Sequence, residues 1–82
     1  MKIYYQAIAK FPIDEFGDRS FEMRSEAVSI AADRESDYEE SGGSTREIGF
    51  DCDTEAEAIK LKSRLEPLEK MGISSEIKRY SC

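Results

Sequence analysis

The clearest structural signal in the chain is a run of alternating residues that leads directly into a capped helix. Ile48, Phe50 and Cys52 occupy every second position and predict a β-strand with one buried face. Thr54 follows this run and Glu57 lies three residues later, which is the capping-box pattern of a helix N-terminus. A strand that continues directly into a helix is typical of a domain in which helices cover a sheet.

The second half of the chain extends this pattern to its end. Helical spacing predicts an inward stripe made of Ala58, Leu61, Leu65 and Leu68. Pro67 lacks a backbone N–H, so we expect a kink there, or a break with Pro67 opening a last short turn. Gly72 suits the left-handed position just past a helix end. Residues 73–80 predict a strand, with Ile73 and Ile77 facing inward.

The first half of the chain is assigned from shorter patterns. Residues 2–11 predict a strand, because apolar side chains at every second position share one face, namely Ile3, Tyr5, Ala7, Ala9 and Phe11. Residues 12–18 contain the turn formers proline and glycine and predict a short loop. Residues 19–24 fit another strand, in which Phe21 and Met23 point inward.

A first helix is expected to begin at Ser25 and to end before residues 42–44, a glycine-rich flexible connection. The predicted inner stripe of this helix comprises Ala27, Val28, Ala31, Ala32 and Tyr38. Residues 21–30 also resemble residues 50–59 in register, with Ser25 at the position of Thr54. This similarity predicts a repeated unit in which a strand end leads into a hydroxyl-capped helix.

Together these elements predict the order β-β-α-β-α-β, with residues 45–53 as the third strand. Right-handed crossovers place both helices on one sheet face and leave the other face open. We therefore expect one α+β domain over residues 1–82, a two-layer sandwich with a mixed sheet of about four strands. Its layers resemble those of ferredoxin-like folds, whose element order is β-α-β-β-α-β. By parity, the open face is predicted to carry Tyr4, Ile8, Glu22, Arg24, Glu47, Asp51, Asp53 and Tyr80.

The chain offers no recognisable set of catalytic residues. It contains no histidine, and no local motif pairs a serine or cysteine with a base. Residues 51–55 are similar to the DxDx[TV] signature of aspartate-nucleophile phosphatases, but Glu55 stands where threonine or valine is needed. A calcium loop beginning at Asp51 would need glycine and glutamate in place of Ala56 and Lys62. We therefore expect a protein that is not an enzyme and that uses no cofactor or metal ion.

Acidic residues are concentrated in one part of the chain. The net charge is −6, whereas residues 33–57 hold ten acidic and two basic residues. Direct binding to nucleic acid or to an anionic membrane is disfavoured, because both need basic residues. A field of one sign instead attracts a basic protein partner. The candidate partner-binding residues are the acids Asp37, Glu39, Glu40, Glu47, Asp51, Asp53 and Glu55, with Tyr4 and Tyr80 on the open face.

The N-terminal residues do not form the apolar core of a signal peptide. No segment reaches the ~18 apolar residues that a membrane span requires. We therefore expect a cytoplasmic protein, or one in the host cytoplasm if a phage encodes it. Cys52 and Cys82 match no disulfide framework or zinc motif.

Two functions remain open at this point. In size, acidity and absence of motifs, the chain resembles phage-encoded inhibitors of host defence, such as anti-CRISPR and anti-restriction proteins. That resemblance implies an inhibitor that occupies a basic, nucleic-acid-binding site on a partner protein. The alternative is a small regulatory or assembly domain that pairs through its sheet edge or open sheet face, as a monomer with a partner or as a homodimer.

Overall fold

The computed structural model describes residues 2–13 and 17–81, with side chains for all of these except residues 17–21. The strands are β1 (Ile3–Pro12), β2 (Tyr38–Gly42), β3 (Thr45–Cys52) and β4 (Ser74–Ser81). The helices are α1 (Gly17–Ala32) and α2 (Glu55–Leu65), and a 3₁₀ helix follows at Glu66–Met71.

The described strands form one sheet in the order β2-β3-β1-β4, and every neighbouring pair is antiparallel. Along the chain, the elements follow the order β-α-β-β-α-β, which is that of the ferredoxin-like fold. The predicted α+β class and ferredoxin-like layering are confirmed. The element order differs from the predicted β-β-α-β-α-β, and the described sheet is antiparallel where a mixed sheet was expected.

The core lies between the two helices and one sheet face. Alternate residues of β1 and β3 fill its sheet side, namely Ala7, Ala9, Phe11, Ile48, Phe50 and Cys52. The helices contribute Val28, Ala32, Ala58, Leu61 and Leu65. The alternation predicted for the first and third strands is therefore confirmed, because these helix-facing residues of β1 and β3 are buried.

The prediction of a strand over residues 19–24 is wrong, because these residues lie within α1. Met23 does not point inward, since 63% of its surface is exposed. Two alternating apolar residues are too short a pattern to exclude a helix, and Glu22, Met23 and Arg24 are all good helix formers. The side chain of Phe21 and residues 14–16 of the predicted loop lie outside the described residues, whereas residues 17 and 18 of that loop begin α1.

The predicted repeat has no structural counterpart. Residues 21–30 lie wholly within α1, whereas residues 50–59 include a strand end, a cap and the start of α2. Ser25 is therefore not a helix cap. It lies in the helix interior, and its hydroxyl is buried without a hydrogen-bond partner among the described residues.

The segment after α1 forms a hairpin where a longer helix and a flexible connection were predicted. α1 ends at Ala32, and Asp33 adopts a left-handed conformation with φ of 56°. Tyr38 belongs to β2 and not to the stripe of a helix. Gly42 pairs with Thr45 across a two-residue turn whose first residue, Gly43, has φ of 61°, as a type II′ turn requires.

The predictions for the second helix are confirmed. Thr54 Oγ1 accepts a hydrogen bond from Glu57 N at 3.2 Å, and Glu57 Oε2 accepts one from Asp53 N at 3.1 Å. α2 ends before Pro67, which lies in the first turn of the 3₁₀ helix. Gly72 ends that helix with φ of 79°. Within the described part of the chain, neither helix has the length and apolarity needed to cross a membrane.

Candidate functional site

The sheet face opposite α1 and α2 carries one set of alternate residues from all four strands. Directly opposed residues point to the same side of a sheet, so the strand registers identify this set. We call it the open face. Its described members include Tyr4, Gln6, Ile8, Lys10, Tyr38, Glu40, Glu47, Gly49, Asp51, Ser74, Glu76, Lys78 and Tyr80.

A small apolar centre lies in the middle of the open face. Ile8 is 0% exposed, although it lies outside the main core. It stands opposite Gly49, which in turn stands opposite Tyr38. The Tyr38 ring occupies the space above Gly49, where a methyl group would overlap it. Because β1, which carries Ile8, lies on the far side of β3, the ring extends over the glycine toward Ile8, and the missing glycine side chain makes this placement possible.

Two further tyrosines lie beside this centre. The rings of Tyr4 and Tyr80, on paired strands, stack with their centroids 5.2 Å apart and an angle of 14° between their planes. Burial is the main cause that raises the pKa of Tyr38 to about 12, and the charges of Glu47 and Tyr80 raise it further.

Carboxylates surround the tyrosines and outnumber the lysines of the described face. Lys10 Nζ lies 2.7 Å from Glu76 Oε1 and 3.7 Å from Glu47 Oε1, so one lysine is shared by two carboxylates. The hydrogen bond with Glu76 is the main cause that raises the pKa of Lys10. Glu40 stands directly opposite Glu47, an arrangement of like charges that destabilises a sheet in the absence of a counter-charge. The open face is therefore negative around its apolar centre.

The structure divides the seven predicted acidic residues among different surfaces. Glu40, Glu47 and Asp51 lie on the open face, where Asp51 Oδ1 accepts a hydrogen bond from Gln6 Nε2 at 2.7 Å. Asp53 and Glu55 lie at the start of α2. The predicted acidic surface is thus not one continuous cluster, and three of its members belong to the open face.

The other two predicted acids form ion pairs with the two arginines of the acidic segment. Asp37 Oδ2 lies 3.0 Å from Arg34 Nη2, and it also accepts a hydrogen bond from Asp51 N at 2.6 Å. Glu39 Oε2 lies 3.0 Å from Arg46 Nη2, on the helix-facing side of β2. These contacts hold β2 against β3, so Asp37 and Glu39 also stabilise the hairpin.

The structure places Tyr4 and Tyr80 on the open face, where their rings contact each other. Tyr4 also meets Asp51 and Asp53 at a shallow depression of about 300 Å³, which Lys2 and Cys52 complete. Two of the predicted acids therefore lie beside Tyr4 at the end of β3.

Glu22 and Arg24 do not lie on the open face, because they belong to α1. Arg24 Nη1 donates a hydrogen bond to the carbonyl oxygen of Pro12 at 3.2 Å. Tyr38 and Glu76 were missed as members of the face. A glycine–serine pair between two polar, strand-compatible segments is a hairpin signal that would have placed Tyr38 on a strand.

The described residues give no reason to assign covalent or metal chemistry. Burial, followed by the charge of Glu57, raises the pKa of the Cys52 thiol and so disfavours the reactive thiolate. Cys52 faces the core, where it is 2% exposed. Among the side chains that the structure describes, those of residues 2–13 and 22–81, no three of the metal-ligating types converge on a common point.

Comparison of the chain with protein-family models, with curated proteins and with solved structures finds no match. The open face is therefore the basis for a functional proposal. It combines half-buried aromatic rings, an apolar centre and more carboxylates than lysines on one side of the described sheet.

Proposed function

We propose that this protein is a non-enzymatic binding protein whose open face docks onto a basic surface of a partner protein. The observation that carries the proposal is the apolar centre of Ile8 and Tyr38, beside the stacked Tyr4 and Tyr80. Tyrosines supply large, rigid contact areas and are enriched among the residues that dominate binding energy at protein interfaces. The surrounding carboxylates supply steering toward positive charge.

The charge of the face favours one class of partner. The chain carries a net charge of −6, which opposes contact with phosphate groups. A protein that itself binds nucleic acid offers the complementary basic surface. The protein would then act as an inhibitor that occupies a nucleic-acid-binding site, as anti-CRISPR and anti-restriction proteins of phages do.

The test begins with capture of partners from lysate of the native cell and their identification by mass spectrometry. A captured protein counts as support only if it binds nucleic acid and this protein displaces a fluorescent oligonucleotide from it. The decisive comparison uses two triple variants that remove the same number of charges. The face variant is Glu40→Gln, Glu47→Gln, Asp51→Asn, and the control is Asp33→Asn, Glu55→Gln, Glu69→Gln.

We expect the face variant to weaken displacement by at least about tenfold, because it removes the charges that oppose a basic site. The control variant should retain displacement within a factor of about two, since exposed charges away from a contact contribute little. Equal loss in both variants would indicate an effect of net charge only. That result, or retention of displacement by the face variant, would refute the role of the open face.

A further inference from the structure

The edges of the described sheet differ in their capacity to pair with another strand. The order β2-β3-β1-β4 leaves β2 and β4 at the edges. β2 has five residues and carries Glu39 and Glu40 with no basic residue, so two copies of it repel each other. β4 has eight residues and contains no proline or glycine. An edge of this length without such interruptions is a template for strand addition.

The charges of β4 are arranged in a self-complementary pattern. Glu76 and Lys78 lie on the open face, on either side of Ile77, which faces the helices. Ile77 is partly buried against the core, and Lys78 is exposed. Glu76 is held on the open face by its ion pair with Lys10, at 2.7 Å. Among the described residues, Lys78 has no carboxylate within ion-pair distance.

We infer that β4 pairs antiparallel with β4 of a second copy of this chain, about a two-fold axis at Ile77. In that register, Glu76 of each copy stands opposite Lys78 of the other, so symmetry produces two ion pairs. The Ile77 side chains stand opposite each other on the helix-facing side. Ser75 then opposes Arg79 of the second copy, a contact without charge repulsion.

Neighbouring registers are disfavoured by the same charges. The nearest alternative registers that keep the helices of both copies on the same side of the sheet have their two-fold axis one residue away from Ile77, at Glu76 or at Lys78. Centring on Glu76 places two glutamates opposite each other, and centring on Lys78 places two lysines opposite each other. The Ile77-centred register is therefore the one that the charge pattern selects. The product is a continuous sheet whose two open faces merge into a single surface.

Sedimentation velocity over a wide range of protein concentration tests this dimer directly. In the proposed dimer, positions 76 and 78 face each other in two symmetric pairs. The single variant Lys78→Glu puts two glutamates in each pair, and the single variant Glu76→Lys puts two lysines in each pair. We expect each to weaken self-association by about tenfold or more. Their equimolar mixture restores opposite charges in both pairs, so it should associate as strongly as the wild type. Lys60→Glu, the same charge change on an exposed part of α2, is the matched control and should dimerise normally.

Circular dichroism of each variant establishes that it is folded before it is compared. If Glu76→Lys does not fold, Lys78→Glu against Lys60→Glu still decides the question. A wild-type protein that stays monomeric at every concentration would overturn the inference, as would dimers that Lys78→Glu leaves unchanged. Association of the single variants but not of their mixture would also contradict the proposed register.

Discussion

At the scale of single residues, the open face depends most on Tyr38. Its ring lies on the backbone of Gly49 in the neighbouring strand, an arrangement in which an aromatic side chain compensates for the missing glycine side chain. The ring extends toward Ile8, which would otherwise be an exposed apolar residue on the open side of the sheet. Burial of the ring also makes its ionisation unfavourable, and this links the face to pH.

Replacement of Tyr38 by phenylalanine tests that link. The pKa of Tyr38 is raised from 10.0 to about 12 in the folded protein, mainly by burial and then by Glu47, so the unfolded chain releases this proton at lower pH. The free energy of unfolding should therefore fall as pH rises from 10.0 to about 12. Tyr38→Phe should remove that part of the decrease, as measured by urea denaturation at a series of pH values. An unchanged slope in the variant would show that other groups cause it.

At the scale of elements, a similar local sequence marks the start of α2 but lies in the interior of α1. Thr54 begins α2 with a side-chain hydrogen bond to Glu57 N, and the strand before it ends where its alternation ends. Ser25 has a similar local sequence but lies in the interior of α1, one turn before the buried Val28. A hydroxyl residue followed by glutamate and alanine is thus compatible with a cap and with a helix interior.

Two alanine variants distinguish these roles. Thr54→Ala removes a cap and should lower the free energy of unfolding by about 1 kcal/mol. Ser25→Ala removes a buried hydroxyl that lacks a partner among the described residues and adds a better helix former, so it should raise stability by a few tenths of a kcal/mol. Thermal and urea denaturation measure both. A loss of about 1 kcal/mol in Ser25→Ala would mean that Ser25 acts as a cap after all.

At the scale of the whole molecule, Arg34 connects the end of α1 to the sheet and to α2. Its Nη2 atom donates to Asp37 Oδ2 at 3.0 Å and to the carbonyl oxygen of Asp51 at 3.1 Å. Its Nη1 atom lies 4.0 Å from Glu57 Oε1, and the guanidinium lies 5.9 Å from the centre of the Phe50 ring. One side chain therefore joins the start of β2, the end of β3 and the first turn of α2.

Arg34→Ala should loosen the β2 edge more than the rest of the protein. We expect a loss of about 1–2 kcal/mol in global stability, since a charged hydrogen bond and a cation–π contact are removed. Amide hydrogen exchange should increase most in residues 37–42 and at Asp51, while the amides of α2 after its first turn change little. Lys60→Ala, which changes an exposed cation on α2, should leave the pattern intact. Uniform acceleration across the sheet would contradict this local role.

The amino-acid sequence by itself determined the elements whose signals are local. The alternation of Ile48, Phe50 and Cys52, the cap at Thr54 and the break at Pro67 act within a few residues, so each could be inferred without knowing its tertiary neighbours. The same parity placed Tyr4, Ile8, Glu47, Asp51 and Tyr80 on the open face correctly.

Only the tertiary structure decided the parts that depend on pairing between distant segments. Residues 38–42 are polar and short, and they become a strand because β3 supplies the hydrogen bonds through the hairpin. The turn at Gly43 and Ser44 permits this hairpin, but the polarity of residues 38–42 alone does not place Tyr38 on Gly49 or Glu40 opposite Glu47. The pairing with β3 also assigns Asp37 and Glu39 to ion pairs with Arg34 and Arg46. The acidity of residues 33–57 is a property of their composition. The strand register decides which of their carboxylates form ion pairs with Arg34 and Arg46 and which lie on the open face.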